Sequence, residues 1–409
     1  MNKHFYIFFL LFTVQIFPQQ VEVKSLKAYA GSDETSFPVI VMGGDKQQFI
    51  TIEFDVKASY IPYMSIIFKF CNRDWVPYKN IFLLDQGKNI DHDIGFYKLP
   101  HTVKDADYHF IGSYPDGKRN VEFPFSGKWM FYITDSQDTS VVYASGKFYV
   151  VYPEMNVHDS IKKEQLQDKS YFPSDLAKVF DVITEFTLPQ KFYPQYVDHV
   201  EVIENHKINF PIIIDRRLNT ITRQYSWNAD RTFSFSARDI RPGNEYRQVD
   251  LRNTNVFAAK DVNAHLDEID YSRFYTHGKP DLNGGSILTN FDNDYATYLD
   301  VTFTLRPPDQ VNEGIFLTGA FNNWIISDKY KLNDDNGLYS ITIPLKRGIY
   351  DYQYVISNYA DGTYTKDDWI TLEGNNWETT NIYNIFVYYN DPSYGGYDRI
   401  IGFQQLISR

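Results

Sequence analysis

The chain has 409 residues, a formal net charge of −12, 17% aromatic residues and a single cysteine. That acidic balance excludes a protein built to hold nucleic-acid phosphates, and it disfavours an anionic membrane surface as a partner. The lone Cys71 excludes an internal disulfide and a cysteine metal centre.

The first predicted element is an export signal over residues 1–19. Lys3 supplies a positive start, and Phe5–Phe12 is an unbroken apolar run, FYIFFLLF, that gives way to Gln15, Pro18, Gln19 and Gln20. This is the layout of a secretory signal peptide and is too short to cross a bilayer comfortably. Cleavage is expected near Gln19 or Gln20. No cysteine follows the run, so lipoprotein processing is not expected. No later stretch approaches the roughly 18 uninterrupted apolar residues of a membrane helix, so the mature chain is expected to have no membrane span of its own.

The remaining chain is long enough for about two to four domains. Its 33 Tyr and 32 Phe suit pleated, half-buried strands. An outer-membrane barrel would repeat lipid-facing bands and aromatic girdles, whereas Pro and long charged loops interrupt the strands here.

Residues 20–152 read as an N-terminal β-sandwich. Ile50, Ile52, Phe54 and Val56 alternate with polar residues, as do Ile66, Phe68 and Phe70, and further strands are predicted at Trp129–Thr134 and Val141–Val151. Pro153 opens a middle β-rich domain over 153–305. Within it, residues 174–186 (SDLAKVFDVITEF) fit either a helix, through Leu176, Val179, Phe180 and Ile183, or a strand, through β-branched and aromatic content. Strands are predicted at Val197–Ile203, Phe210–Ile214 and Arg231–Ala237, with a turn at Arg241-Pro242-Gly243-Asn244. A linker at Arg306-Pro307-Pro308 begins a C-terminal immunoglobulin-like (E-set-like) sandwich with its tail over 306–409. GIFLTGAF, Leu338–Pro344 after the hairpin signal Asn336-Gly337, Ile349–Ile356 and Asn381–Tyr389 are its strands. The expected fold class is all-β, a tandem array of sandwiches.

No HExxH, GxSxG, P-loop or GxGxxG pattern is present. Cys71, between Phe70 and the aromatic Trp75, reads as a buried structural thiol rather than a nucleophile. Asp91-His92-Asp93 puts three adjacent side chains on different sides of the chain and reads as solvated. The stretch 280–294, PDLNGGSILTNFDND, has the composition of a calcium loop, but, with Asp281 as position one, Gly284 stands at position four rather than six, and a turn is expected. No catalytic residue, cofactor or metal site is therefore expected, and the chain reads as a binding protein.

GAFNNW (319–324), Gly348–Tyr354 and Thr380-Asn381 resemble the glycogen-binding and starch-enzyme-associated sandwich modules. That resemblance implies a sugar platform at Trp324, with Trp377 and Asn381 as further glycan contacts. Where the module has Lys after its strand aromatic, this chain has Gln353. The residue reading gives FNNW a structural use, Phe321 packing and Asn322 capping a turn.

The chain also resembles, end to end, the plug protein of the Bacteroidetes type IX secretion system. FCNRDW (70–75), FSGKW (125–129), GNEYRQVDLR (243–252), GAFNNW, EGNNWETTNIYNIFVYY (373–389) and YDRIIGF (397–403) carry the resemblance. FCNRDW and GNEYRQVDLR are its most specific parts, because sandwich architecture alone does not require them. The resemblance implies a periplasmic protein, peripherally held on a large outer-membrane β-barrel translocon, whose pore it seals when no cargo passes.

Overall fold

The structure, a computed structural model, describes residues 21–408 apart from 44–47, 85–86, 118–119, 167–173, 267–268, 275, 277 and 361–362, and without the side chains of 359, 360 and 363–366. The expected signal peptide lies outside the described residues. Strands dominate, and the only helices among the described residues are short 3-10 turns. The fold is all-β.

Six sheets pair face to face into three sandwiches. In the first, Glu22–Ala30, Ile50–Lys57, Tyr108–Tyr114 and Tyr97–Lys98 form one sheet. Val39–Val41, Val142–Val151, Gly127–Asp135, Met64–Cys71 and Ile90–Asp91 form the other. The alternation in the sequence explains the pairing: Ile50, Ile52, Phe54 and Val56 meet Ile66, Phe68, Phe70, Trp129 and Phe131 in one buried core.

The second sandwich settles the two-way reading of 174–186. Lys178–Thr187 is a strand, paired antiparallel to His158–Gln165 on one side and Thr232–Ile240 on the other. Phe180, Val182, Thr184 and Phe186 are buried at a spacing of two, which a helix would have scattered around its axis. The hydrogen-bonding strands on both flanks decide the conformation. The facing sheet is Ile212–Asp215, Val197–Glu204, Ile382–Asp391 and Tyr397–Ile407.

Strand pairing therefore crosses the expected division at 305/306. Tyr298–Arg306 runs through that point and pairs with Leu338–Lys346. Asn381–Tyr389, expected in the C-terminal sandwich, instead lies beside Val197–Glu204, and Tyr383, Ile385 and Val387 share a core with Val200, Val202 and Phe235. The third sandwich occupies roughly 247–373 and is inserted between the two parts of the second. One of its sheets centres on Gly348–Ala360, the other on Tyr298–Arg306, with Leu299, Val301, Phe303, Leu317, Tyr352 and Tyr354 between them.

Candidate functional site

The polar chemistry of the molecule is concentrated where the sandwiches meet. Between the first and second, Phe37, Val39, Tyr149 and Val151 pack on Ile203, Phe386, Tyr388 and Ile400. Lys128 projects from the first sandwich into this seam and pairs with Glu201 at 3.0 Å, with side chains 3% and 0% exposed. Its ammonium lies 4.9, 5.9 and 5.7 Å from the ring centroids of Trp75, Tyr149 and Tyr388 and donates to the Arg73 carbonyl at 2.7 Å. Three aromatic faces and a carboxylate thus replace the water removed from the cation.

Beside it, Arg73 reaches Asp198 at 3.2 Å and Asp215 at 3.0 Å, and its backbone N–H donates to Asp398 at 2.8 Å. The Tyr78 hydroxyl and the Asp398 backbone N–H are joined at 2.8 Å. The hydrogen bonds from Arg217, opposed by partial burial and aided by Arg73, hold the Asp215 carboxyl far below the usual range. FCNRDW and the terminal YDRIIGF are therefore the two halves of one staple.

The first and third sandwiches meet around Asp55, which is 1% exposed. Lys346 comes within 2.9 Å, His109 Nδ1 within 2.7 Å, and the Tyr298 hydroxyl donates at 2.9 Å. Burial pushes the Asp55 carboxyl up, but the hydrogen bonds and charges of His109 and Lys346 outweigh it and leave it below its ordinary value.

The second and third sandwiches are joined through GNEYRQVDLR and EGNNW. Buried Arg247 makes a 2.9 Å pair with Glu373 and a 3.2 Å pair with Asp270 within the third sandwich, beside the junction that Asn375 makes. Asn375 accepts from the Gly243 N–H at 3.0 Å and donates to the Lys178 carbonyl at 2.7 Å.

The three residues proposed for sugar binding do not form one platform. Trp324 is 0% exposed, donates from Nε1 to the Gly284 carbonyl at 2.9 Å, and packs on Tyr246 with centroids 4.4 Å apart. Trp377 is half-buried, with its indole N–H on the Val179 carbonyl and the Lys178 ammonium over its ring at 5.8 Å. Asn381 is buried in the second sandwich, where it accepts from Asn205 and donates to the Pro242 carbonyl. Asn322 accepts from the Gly319 N–H at 3.0 Å, the turn-capping use expected of it, and Phe321 packs on the third core. Cys71 is buried, which pushes its thiol up to about 12.

The start of the 280–294 stretch forms a turn, closed by the Gly285 N–H on the Leu282 carbonyl, ahead of the short strand Ser286–Leu288, and the turn has an unusual electrostatic partner. Asp281 accepts the backbone N–H groups of Tyr246 and Asn283, while Asp351 accepts those of Leu282 and Gly284 and the Gln248 amide. Burial, then the Asp351 charge, pushes Asp281 up to about 8, and burial pushes Asp351 up to about 6. Among the described residues no cluster fits a metal ion. Folded-state values above the unfolded ones mean that the fold binds protons more tightly than the open chain. The pair's favourable contribution is thus complete below about pH 4 and is lost as pH rises through 6 and then 8. Asp351→Asn, whose new amide Gln248 can accept by flipping, should flatten this decline and raise stability at pH 8 by on the order of 1–2 kcal/mol. Urea midpoints of both proteins at pH 5 and pH 8 check it; parallel declines would show that the pair does not titrate in this window.

These features define the class: an all-β protein of three sandwiches, fused by buried polar seams. No family model matches the chain, and no curated protein matches it. A crystal structure of a hypothetical protein from Parabacteroides merdae ATCC 43184 is similar over 95% of this chain and 98% of its own, at 21% identity and a TM-score of 0.76. The two share a fold across their full length. A bacterial ice-binding adhesin (9% identity, 95% and 97% covered, TM-score 0.15) and the Streptococcus pneumoniae pilin RrgB (9%, 88% and 69%, TM-score 0.13) match too weakly to carry an argument.

Proposed function

We propose that this chain is a non-enzymatic plug of the periplasm, which docks on the outer-membrane translocon of a type IX secretion system and seals its pore between cargoes. The observation that carries the proposal is where the plug-like segments fall. FCNRDW and YDRIIGF staple the first sandwich to the second, Asn375 of EGNNW ties Gly243 of GNEYRQVDLR to Lys178 of the second sandwich, and GAFNNW buries Trp324 against Tyr246 and Lys207 where the second and third meet. A seal for a wide pore needs a body that does not flex at its domain boundaries, and these segments supply that property. No helix among the described residues is long and apolar enough to cross a membrane, which agrees with a peripheral partner of a barrel. The carbohydrate-binding alternative has weaker support, since Trp324 offers no face to a sugar ring.

Deleting the gene should leave the translocon assembled but leaky, so that large antibiotics normally stopped by the outer membrane become toxic. Removing the translocon in the same strain should restore resistance. A deletion strain that stays fully resistant with an idle translocon present would rule the plug out.

A further inference from the structure

One pole of the first sandwich carries an apolar surface that the seams do not use. Tyr60, Ile61 and Tyr63 on the loop before Met64–Cys71, and Val141 and Val142 at the start of Val142–Val151, are 43–65% exposed. The two loops are one unit. The Ser136 N–H donates to the Tyr63 carbonyl at 3.1 Å, the Ser65 and Ser136 hydroxyls meet at 2.9 Å, and Asp135 N–H donates to the Val141 carbonyl at 3.1 Å. Pro62 is buried beneath the loop.

The turn is held by its own carboxylates. Asp135 Oδ1 accepts from the N–H groups of Gln137 and Asp138, its Oδ2 accepts from Tyr143 at 3.1 Å, and Asp138 accepts from the N–H and hydroxyl of Ser140. Neither Asp135 nor Asp138 belongs to an ion pair among the described residues. The Ser140 hydroxyl, then its N–H, holds Asp138 below the ordinary carboxylate value, and the Asp138 N–H does the same for Asp135, so both are anionic at neutral pH. Side chains this apolar are costly to leave in water. A stiff loop that pays little ordering entropy on binding, with two tyrosines as anchors, has the make-up of an interface centre.

We propose that Tyr60, Ile61, Tyr63, Val141 and Val142 form the docking surface of this protein for the periplasmic rim of its translocon. It is matched there by an apolar recess bordered with Lys or Arg that faces Asp135 and Asp138. This rests on the plug reading above. The basic border follows from charge: the patch is rimmed by unpaired carboxylates on a chain of net charge −12. The same charge opposes an anionic bilayer as the occupant.

The test uses the full mature chain and the purified translocon in detergent, with binding followed at low and physiological salt. The Tyr60→Ser/Ile61→Ser/Tyr63→Ser variant should bind at least about 30-fold more weakly, since central aromatic anchors dominate interface energetics. Phe82→Ser, at an exposed aromatic of a different loop, should bind as wild type does. Asp135→Asn/Asp138→Asn should slow association and reduce its salt dependence. Because the three loop side chains are exposed, the triple variant should keep the wild-type melting midpoint. If it does not, Val141→Ser/Val142→Thr replaces it with the same expectation. Wild type that fails to bind the translocon refutes the plug reading itself. Wild type that binds, with patch variants binding equally well, refutes this surface while leaving the plug reading standing. Co-sedimentation of wild type with phosphatidylethanolamine–phosphatidylglycerol vesicles, or a dimer that the triple variant abolishes, would assign the patch to lipid or to a second copy and overturn the proposal.

Discussion

Replacing Lys128 with Met should cost about 3–5 kcal/mol of stability, because it leaves Glu201 as a buried carboxylate without its cation. Glu201 is 0% exposed, and with Lys128 gone it keeps the Tyr149 hydroxyl at 3.3 Å as a hydrogen-bond donor. The ammonium also holds the Arg73 carbonyl, so its loss reaches the Arg73 staple next to it. Met fills the stem of the cage formed by Trp75, Tyr149 and Tyr388, which separates the charge effect from a cavity effect. The double variant Lys128→Met/Glu201→Gln should recover much of the loss, since neither charge is then buried alone. Urea titrations followed by tryptophan fluorescence measure both. A single variant that unfolds at the wild-type midpoint would mean that water already reaches Glu201 and that the seam is not dry.

The same variant bears on function through the geometry of the body. An open seam between the first and second sandwiches would let them move about residues 152–157, and limited proteolysis there should quicken in Lys128→Met. Under the proposed plug function, a body with a hinge at that seam should seal less well than wild type. The seam therefore links a stability measurement to the leak phenotype that the proposed function predicts.

What the sequence made legible was periodicity. ITIEFDV and SIIFKFC announce strands because a spacing of two sends Ile50, Ile52, Phe54, Ile66, Phe68 and Phe70 to one face, and those six side chains do share a core. Pairing partners were not legible. NIYNIFVYY reads as a strand in any context, but its neighbour is Val197–Glu204, on the far side of an inserted sandwich, because backbone ladders carry no address beyond the buried face they present. Residues 174–186 carried both periods, and only the strands on either side of Lys178–Thr187 resolved them. The site shows the same limit. FCNRDW stood out as a segment, yet the partners of Arg73, Asp198 and Asp215, lie 125 and 142 residues away and look like ordinary surface acids in the sequence. Exposure of aromatics was equally hidden: Trp324 and Tyr60 sit in similar polar loops, and one is wholly buried while the other is half in water.

Trp324→Ala should destabilise the protein by about 3–5 kcal/mol, the range for removing a fully buried Trp. Three contributions act together. The indole leaves a cavity against Tyr246, whose ring lies 4.4 Å away, and against Gly284, where even a Cβ would come within 3.2 Å of the ring. The Gly284 carbonyl loses the N–H that satisfies it. The backbone strain remains, because Asn323 and Trp324 both hold positive φ, at 52° and 60°, a conformation that Ala also finds unfavourable. Burial of the ring is what offsets that strain. Trp324→Phe separates the parts: it keeps most of the packing and orphans the carbonyl, so a loss of about 1–3 kcal/mol is expected. Trp324 comes from the third sandwich, Tyr246 from the segment leading out of the second, and Lys207, 5.9 Å from the indole centroid, from the second itself. The Ala variant should therefore loosen the junction as well as the third sandwich, giving a broader urea transition than wild type. A glycan pull-down run alongside distinguishes the sugar-platform role: an unchanged midpoint with lost glycan binding would show that Trp324 is exposed in solution and works as a platform.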